Sequence, residues 1–195
     1  MTSPSDPARR VVMTALASLP LIGLAARTSS GGDAQRTGSR TLVAYFSRSG
    51  NTRVVAGLIH RTLGTDLFEI RPASPYPEDY LETVEQARQE RDTGYEPALE
   101  AKISNMAAYD TVYLGFPIWG ETTPPIVRAF LTAHDLSEKT LIPFVTHGGY
   151  GLGNSPSVLA SHAPKAHLHP GFSMQADQER QTMERVTGWL KQRTE

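Results

Sequence analysis

The sequence of 195 residues contains no cysteine. That absence excludes disulfides, thiolate-ligated zinc, iron–sulfur clusters, a cysteine nucleophile and a lipid anchor carried on cysteine. An excess of either charge is missing too. Nineteen Lys and Arg face 20 Asp and Glu, a formal net charge of −1, so no global field is available to hold nucleic acid. Long apolar runs are scarce. An uncharged, largely apolar stretch at residues 11–26 (VVMTALASLPLIGLAA) is shorter than the roughly 20 residues needed to span a bilayer. Pro20 within it argues against a long packed helix.

What is present divides the chain. Residues 1–10 are polar and end in Arg9-Arg10, followed by the uncharged stretch with Ala25 and Ala26 as cleavage candidates. Positive charge, an apolar region and small residues in that order read as an export signal over 1–26. The arginine pair before Val11-Val12-Met13 resembles a twin-arginine signal, although Ala8 precedes it; a general secretory signal is the alternative. Residues 27–40 (RTSSGGDAQRTGSR) lack periodicity and read as a flexible tether. The folded domain is expected over 41–195. Without residues 1–26 the chain, tether included, holds 17 basic and 19 acidic side chains, because Arg9, Arg10 and Asp6 are removed.

From residue 41 strand and helix patterns alternate. Thr41–Phe46 is an apolar, β-branched run that suits a strand buried on both faces. Val54, Val55, Leu58, Ile59 and Leu63 then recur at helical spacing before Gly64. Asp66–Ile70 predicts a second strand, the Pro-rich 72–77 a bend, and Glu78–Arg91 a charged helix read as a solvated face. Thr111–Phe116, Pro124–Ala133, Thr140–Thr146, Ser155–Ser161 and Ala166–Phe172 predict strand, helix, strand, helix and a weak fifth strand. Asp177–Arg193 predicts a closing helix with Met183, Val186, Trp189 and Leu190 inward. Repeated βα units imply one three-layer α/β domain, its sheet mostly parallel and covered on both faces.

Ligands of such sheets bind at the carboxyl ends of the strands, which selects three loops. Ser47-Arg48-Ser49-Gly50-Asn51-Thr52 opens the first helix, where free N–H groups and hydroxyls make an anion pocket suited to a phosphate. Capping of the helix by Ser49 or Asn51 is the plainer explanation. Gly115 to Pro125 holds Trp119 just past a strand end, able to cover a flat ligand or to pack into the core. Thr146 to Asn154 carries four glycines with His147 and Tyr150, permitting close backbone approach to a ligand. The histidines at 60, 134, 147, 162, 167 and 169 show no metal-ligand spacing. Ser47-Arg48-Ser49-Gly50 is not the GxSxG of a nucleophile elbow.

YFSRSGNT, PYPEDY, LGFPIWG and THGGYG in this order resemble the flavodoxin-like family, in particular its small domains with an (S/T)xTGNT-type phosphate loop and a PIW loop, over about residues 41–192. The resemblance implies a five-stranded parallel sheet of order 2-1-3-4-5 with helices on both faces and noncovalently bound FMN. It places the flavin phosphate against Ser47, Ser49, Gly50, Asn51 and Thr52, with Arg48 in the same loop and turned rather to solvent. It sets Pro117, Ile118, Trp119 and Gly120 beside the isoalloxazine ring and His147, Gly148, Gly149 and Tyr150 on its other wall. It also implies a backbone carbonyl at Gly120 able to turn toward the flavin. Tyr76 and Tyr80 are expected to pack the crossover against the sheet. Many flavodoxins are strongly acidic and this chain is near neutral, which weakens charge steering to a basic partner. The functions implied are an FMN electron carrier serving a redox partner protein, an FMN-dependent NAD(P)H:quinone oxidoreductase acting on small quinone and nicotinamide substrates, or a flavin-free binding module.

Overall fold

The computed structural model describes residues 40–176, 186 and 188–192; the expected signal, tether and most of the closing helix, including Met183, lie outside the described residues. The strands are β1 (Thr41–Tyr45), β2 (Asp66–Glu69), β3 (Thr111–Pro117), β4 (Thr140–His147), β5 (His167–Leu168) and β6 (Phe172–Gln175). The helices are α1 (Asn51–Leu63), α2 (Tyr80–Thr93), α3 (Pro125–Ala133) and α4 (Ser155–His162), with a short 3-10 turn at Met106–Ala108. The sheet runs β2-β1-β3-β4-β5, all parallel, with β6 also on β4. It is the doubly wound order 2-1-3-4-5 of a flavodoxin-like fold.

Alternation along the strands decides which layer each residue joins. Leu42 and Ala44 of β1, Val112, Leu114 and Phe116 of β3, and Leu141 and Val145 of β4 face α3 and α4, meeting Ile126, Val127, Phe130 and Leu159. Val43, Tyr45, Tyr113, Ile142 and Phe144 face the other way, onto Val55, Ala56 and Ile59 of α1 and onto Val186 and Leu190 of the closing segment. Buried on both faces, β1, β3 and β4 read as near-continuous apolar runs.

Helix ends follow local chemistry. Gly64 takes φ 62° and stops α1, its N–H donating to the His60 carbonyl. Asp79 caps α2 by accepting from the Glu82 N–H, so α2 starts two residues later than its charge pattern suggests. Pro124 precedes α3 and Pro125 occupies its first turn, where no N–H is needed. The chain between α2 and the 3-10 turn returns along the Pro-rich bend, with Pro72 bridged to Leu99.

The fifth strand differs from its expectation. It is two short segments in line, because Leu141 pairs with Leu168 while Phe144 pairs with Phe172. Two residues of β4 thus oppose three of the edge chain, a bulge. Pro143 and Pro170 lie in that gap and neither has an N–H for a ladder. Gly171 sits there because a Cβ would lie 2.2 Å from the Pro143 carbonyl oxygen.

Gly115 in the centre of the sheet has an equally tight neighbour. A Cβ at Gly115 would come within 2.1 Å of the Phe144 ring, which is fully buried. Gly115→Ala is therefore expected to destabilise the domain by about 1–3 kcal/mol through overpacking. Urea unfolding checks this, and adding Phe144→Leu to Gly115→Ala should recover part of the loss; equal stability of Gly115→Ala and the parent contradicts the packing account.

Candidate functional site

The parallel order sets the carboxyl ends of β1, β3 and β4 side by side, and the three loops selected from sequence converge there. Between them lies a cleft of about 470 Å³, within the size range of small-ligand sites.

In the first loop, Gly50 stands before α1 with φ 95°, a left-handed conformation suited to glycine. The Ser47 hydroxyl accepts from the N–H groups of Gly50 (3.2 Å) and Arg53 (3.3 Å). The capping is therefore done by Ser47, not by Ser49 or Asn51. Ser49 instead accepts from the Asn51 amide at 3.3 Å. Among the described residues no hydrogen bond reaches the backbone N–H groups of Asn51 and Thr52. These are free donors at the positive end of a 13-residue helix. Thr52 is buried, and its hydroxyl shares a 2.9 Å hydrogen bond with that of Thr146 at the end of β4. Arg48 is exposed; its guanidinium donates to the Glu78 carbonyl at 2.8 Å and lies 5.8 Å from the Tyr80 ring centroid.

The second loop is a two-residue hairpin. Trp119 and Thr122 exchange backbone hydrogen bonds of 3.1 and 3.3 Å, while Gly120 (φ 56°) and Glu121 (φ 61°) form the turn. Two successive positive φ values are those of a type I′ turn. Trp119 is half-buried and meets Phe46 (centroids 5.1 Å apart, 81° between planes) and Tyr76 (5.0 Å, 82°) edge-on. This packed ring also lines the cleft. The Tyr76 hydroxyl donates to the buried Glu90 carboxylate at 2.8 Å, and burial together with that bond pushes its pKa well up.

The third loop is laced to the second. Ile118 N–H donates to the Thr146 carbonyl at 2.8 Å, and Asn154 N–H to the Glu121 carbonyl at 3.0 Å. Gly153 lies so close that a Cβ would be 1.8 Å from the Glu121 oxygen. The ring of His147 organises the glycines: its Nδ1 accepts from the N–H groups of Gly149 (3.1 Å) and Gly151 (3.3 Å). An accepting Nδ1 leaves the proton of the neutral ring on Nε2.

Of the residues selected from sequence, Arg48, Ser49, Asn51, Pro117, Ile118, Trp119, Gly120, His147 and Gly148 line the cleft. Ser47 borders a neighbouring cleft on the β2 side instead. Gly50, Thr52 and Gly149 shape the loops without lining it, and Tyr150 stands 81% exposed outside it. The fourth wall comes from α2. Tyr80, Thr83, Val84, Ala87, Arg88 and Arg91 line the cleft, so the reading of this helix as only a solvated face is corrected, and so is the packing expected for Tyr80, which is 66% exposed. The spacing 80, 83, 84, 87, 88, 91 is one helical face, a signal obscured because it mixes rings, small residues and arginines. Arg48, Arg88 and Arg91 are the charged residues in the lining, with no carboxylate. Among the described residues no three His, Asp or Glu side chains are grouped to hold a metal, and no helix is long and apolar enough to cross a membrane.

A doubly wound parallel sheet whose first strand-to-helix loop offers free N–H groups to a cleft at the strand ends defines a nucleotide-type-binding α/β protein. The sequence model described as Flavodoxin matches residues 40–193, and the chain belongs to the flavodoxin family. Among solved structures it is similar to a candidate flavoprotein of Bacteroides uniformis (33% identity, TM-score 0.70, covering 79% of this chain and 99% of that one). It is also similar to one of Bacteroides eggerthii (34%, 0.67, covering 77% and 95%). A flavoprotein of Lactobacillus acidophilus in complex with FMN shares the fold at 21% identity and TM-score 0.58, over 74% of this chain and 97% of that one. No curated protein matches.

The Thr52–Thr146 bond joins the first and third loops beneath the cleft. Thr146→Val would leave the buried Thr52 hydroxyl without a partner and is expected to cost about 1–3 kcal/mol. Thermal and urea unfolding test it. The double variant with Thr52→Val should lose less than the sum of the singles; strict additivity means the hydroxyls do not interact.

Proposed function

We propose that this protein is a flavodoxin-family redox protein that binds FMN noncovalently and carries electrons through it. The observation that carries the reading is the pair of free N–H groups of Asn51 and Thr52 at the α1 N-terminus, beside a cleft walled by Pro117, Ile118 and Trp119. The polar end suits a phosphate and the apolar walls suit a flat ring, so the residues present fit FMN. Family membership and the FMN complex of the Lactobacillus acidophilus protein add support.

FMN when bound supplies reversible one- or two-electron chemistry, and the protein need supply no nucleophile. Its own residues position and insulate. Asn51 and Thr52 N–H groups would hold the phosphate, with Ser49 beside them. Trp119, held edge-on by Phe46 and Tyr76, is a wall that does not swing away. The Gly120–Glu121 turn presents backbone to the ring edge, and Gly120 leaves its peptide able to rotate. His147 offers Nε2–H as a donor, because Nδ1 is engaged by its own loop.

A second reading, an FMN-dependent NAD(P)H:quinone oxidoreductase, is favoured by the arginines that α2 brings to the cleft, which suit a small anionic reactant better than a basic partner protein. Export by the twin-arginine-type signal completes the proposal; it rests on Arg9-Arg10 before an uncharged stretch. Changing both arginines to lysine should abolish recovery of the chain outside the cytoplasm, and unchanged recovery removes the twin-arginine reading.

Fluorescence titration of the purified protein tests the cofactor. FMN should bind at least tenfold more tightly than riboflavin, since one charge-assisted hydrogen bond to a phosphate contributes about 1.5–3 kcal/mol. Equal affinities, or no binding, sink the reading. Rapid reduction of the loaded protein by NADPH alone selects the oxidoreductase, and no reduction selects the carrier.

A further inference from the structure

Beyond the turn at Gly120–Glu121 lies a groove of about 510 Å³. Arg91, Gly120 and Thr122 line both it and the cleft, so the two spaces are neighbours. Arg128 of α3 lines the groove opposite Arg91. Its Nε donates to the Thr123 carbonyl (3.1 Å) and one terminal nitrogen to the Thr122 hydroxyl (3.0 Å). A guanidinium has five N–H donors, so three remain. Among the described residues no carboxylate lies within ion-pair distance of Arg128. Arg91 uses Nε and one terminal nitrogen on Asp92, at 3.0 and 2.9 Å, and rests its other terminal nitrogen against Gly120.

Several features make the groove attractive to an anion. Two guanidiniums line it, Arg91 paired with Asp92 and Arg128 without an ion pair among the described residues; burial and the charge of Arg91 lower the pKa of Arg128 against the opposing charge of Glu96. Asn154, the N-cap of α4, lines the groove as well. Glu121 is the one acidic lining residue; it is exposed and pairs with neither arginine.

We propose that this groove is a phosphate subsite, in which Arg91 and Arg128 clamp the phosphoryl group of a small reactant whose reactive ring lies in the adjoining cleft. The clamp matches a phosphomonoester better than a carboxylate, because two guanidiniums with spare N–H donors can serve its three terminal oxygens. The inference rests on the FMN reading and gives its second form a substrate class. A phosphorylated nicotinamide dinucleotide and a simpler phosphorylated aromatic are the two sources of that group.

Calorimetry on FMN-loaded protein tests it without turnover. The probes are 2′-phospho-ADP-ribose, ADP-ribose and phenyl phosphate, with Arg91→Gln and Arg128→Gln as variants. The 2′-phosphorylated probe should bind at least tenfold more tightly than ADP-ribose, and each variant should erase most of that preference, with FMN affinity staying within twofold in Arg128→Gln, whose side chain lines the groove and not the cleft. Binding of phenyl phosphate that the same variants weaken, with no preference between the two dinucleotide fragments, also supports the subsite and selects the simpler source. Arg128→Lys should retain part of the preference, which separates the clamp from damage to folding. No discrimination by any phosphate probe, or binding unchanged in both glutamine variants, overturns the proposal. Failure of the parent protein to hold FMN at all is instead the failure of the flavin reading.

Discussion

Parallel pairing of β1, β3 and β4 is the constraint on which the cleft depends. It delivers three strand ends to one edge, and each end then has to turn within a few residues. The turns are not independent. Phe46 N–H donates to Gly115, Ile118 N–H to Thr146, and the hydroxyls of Thr52 and Thr146 join helix α1 to β4. A backbone network of this kind resists rearrangement because every buried polar group that loses its partner carries a desolvation cost. The rigidity of the three loops is thus inherited from the sheet, and a cofactor would meet a site already formed.

Aromatic packing extends that rigidity outward. Trp119 lies beyond the end of β3, where a lone tryptophan would turn freely about its side-chain bonds. Phe46 from the end of β1 and Tyr76 from the Pro-rich bend meet it edge-on, and Tyr76 is in turn held by Glu90 on α2. Edge-to-face contacts add stability beyond the area they bury. The same chain of contacts ties α2 to the cleft, which explains how a helix with few buried side chains keeps its position: of α2, only Thr83, Ala87 and Glu90 are buried.

This also marks what the sequence makes legible and what it does not. The strands of the sheet are readable because burial on both faces demands apolar runs, as in Thr41–Phe46 and Thr111–Phe116. The first loop is readable because glycine and hydroxyl residues crowd one strand-to-helix junction. The α2 wall is not, since Tyr80, Val84, Ala87 and Arg91 make a stripe too mixed in polarity to stand out from the charges around it. Nor is the division of the fifth strand: Pro143 and Pro170 are visible, but that they fall in the same gap of the ladder depends on register, which the residues alone do not state. Tyr150 was an attractive ring by composition, yet the glycines that flank it fold around His147 and leave it 81% exposed.

Gly120 shows how several demands converge on one position. The hairpin needs a positive φ there, which a side chain strains, whereas Glu121 tolerates its own positive φ with a side chain that is exposed. Arg91 needs the space as well, because a Cβ would lie 2.4 Å from its terminal nitrogen. With the side chain absent, a guanidinium can rest against bare backbone at the point where cleft and groove meet. A larger residue would displace Arg91 from that junction and narrow it. The glycine that makes the turn possible therefore also leaves room for Arg91 at the boundary of the two spaces. The arginines there, partly neutralised by Glu85 and Asp92, distinguish this lining from an acidic one in a chain whose overall charge is close to zero.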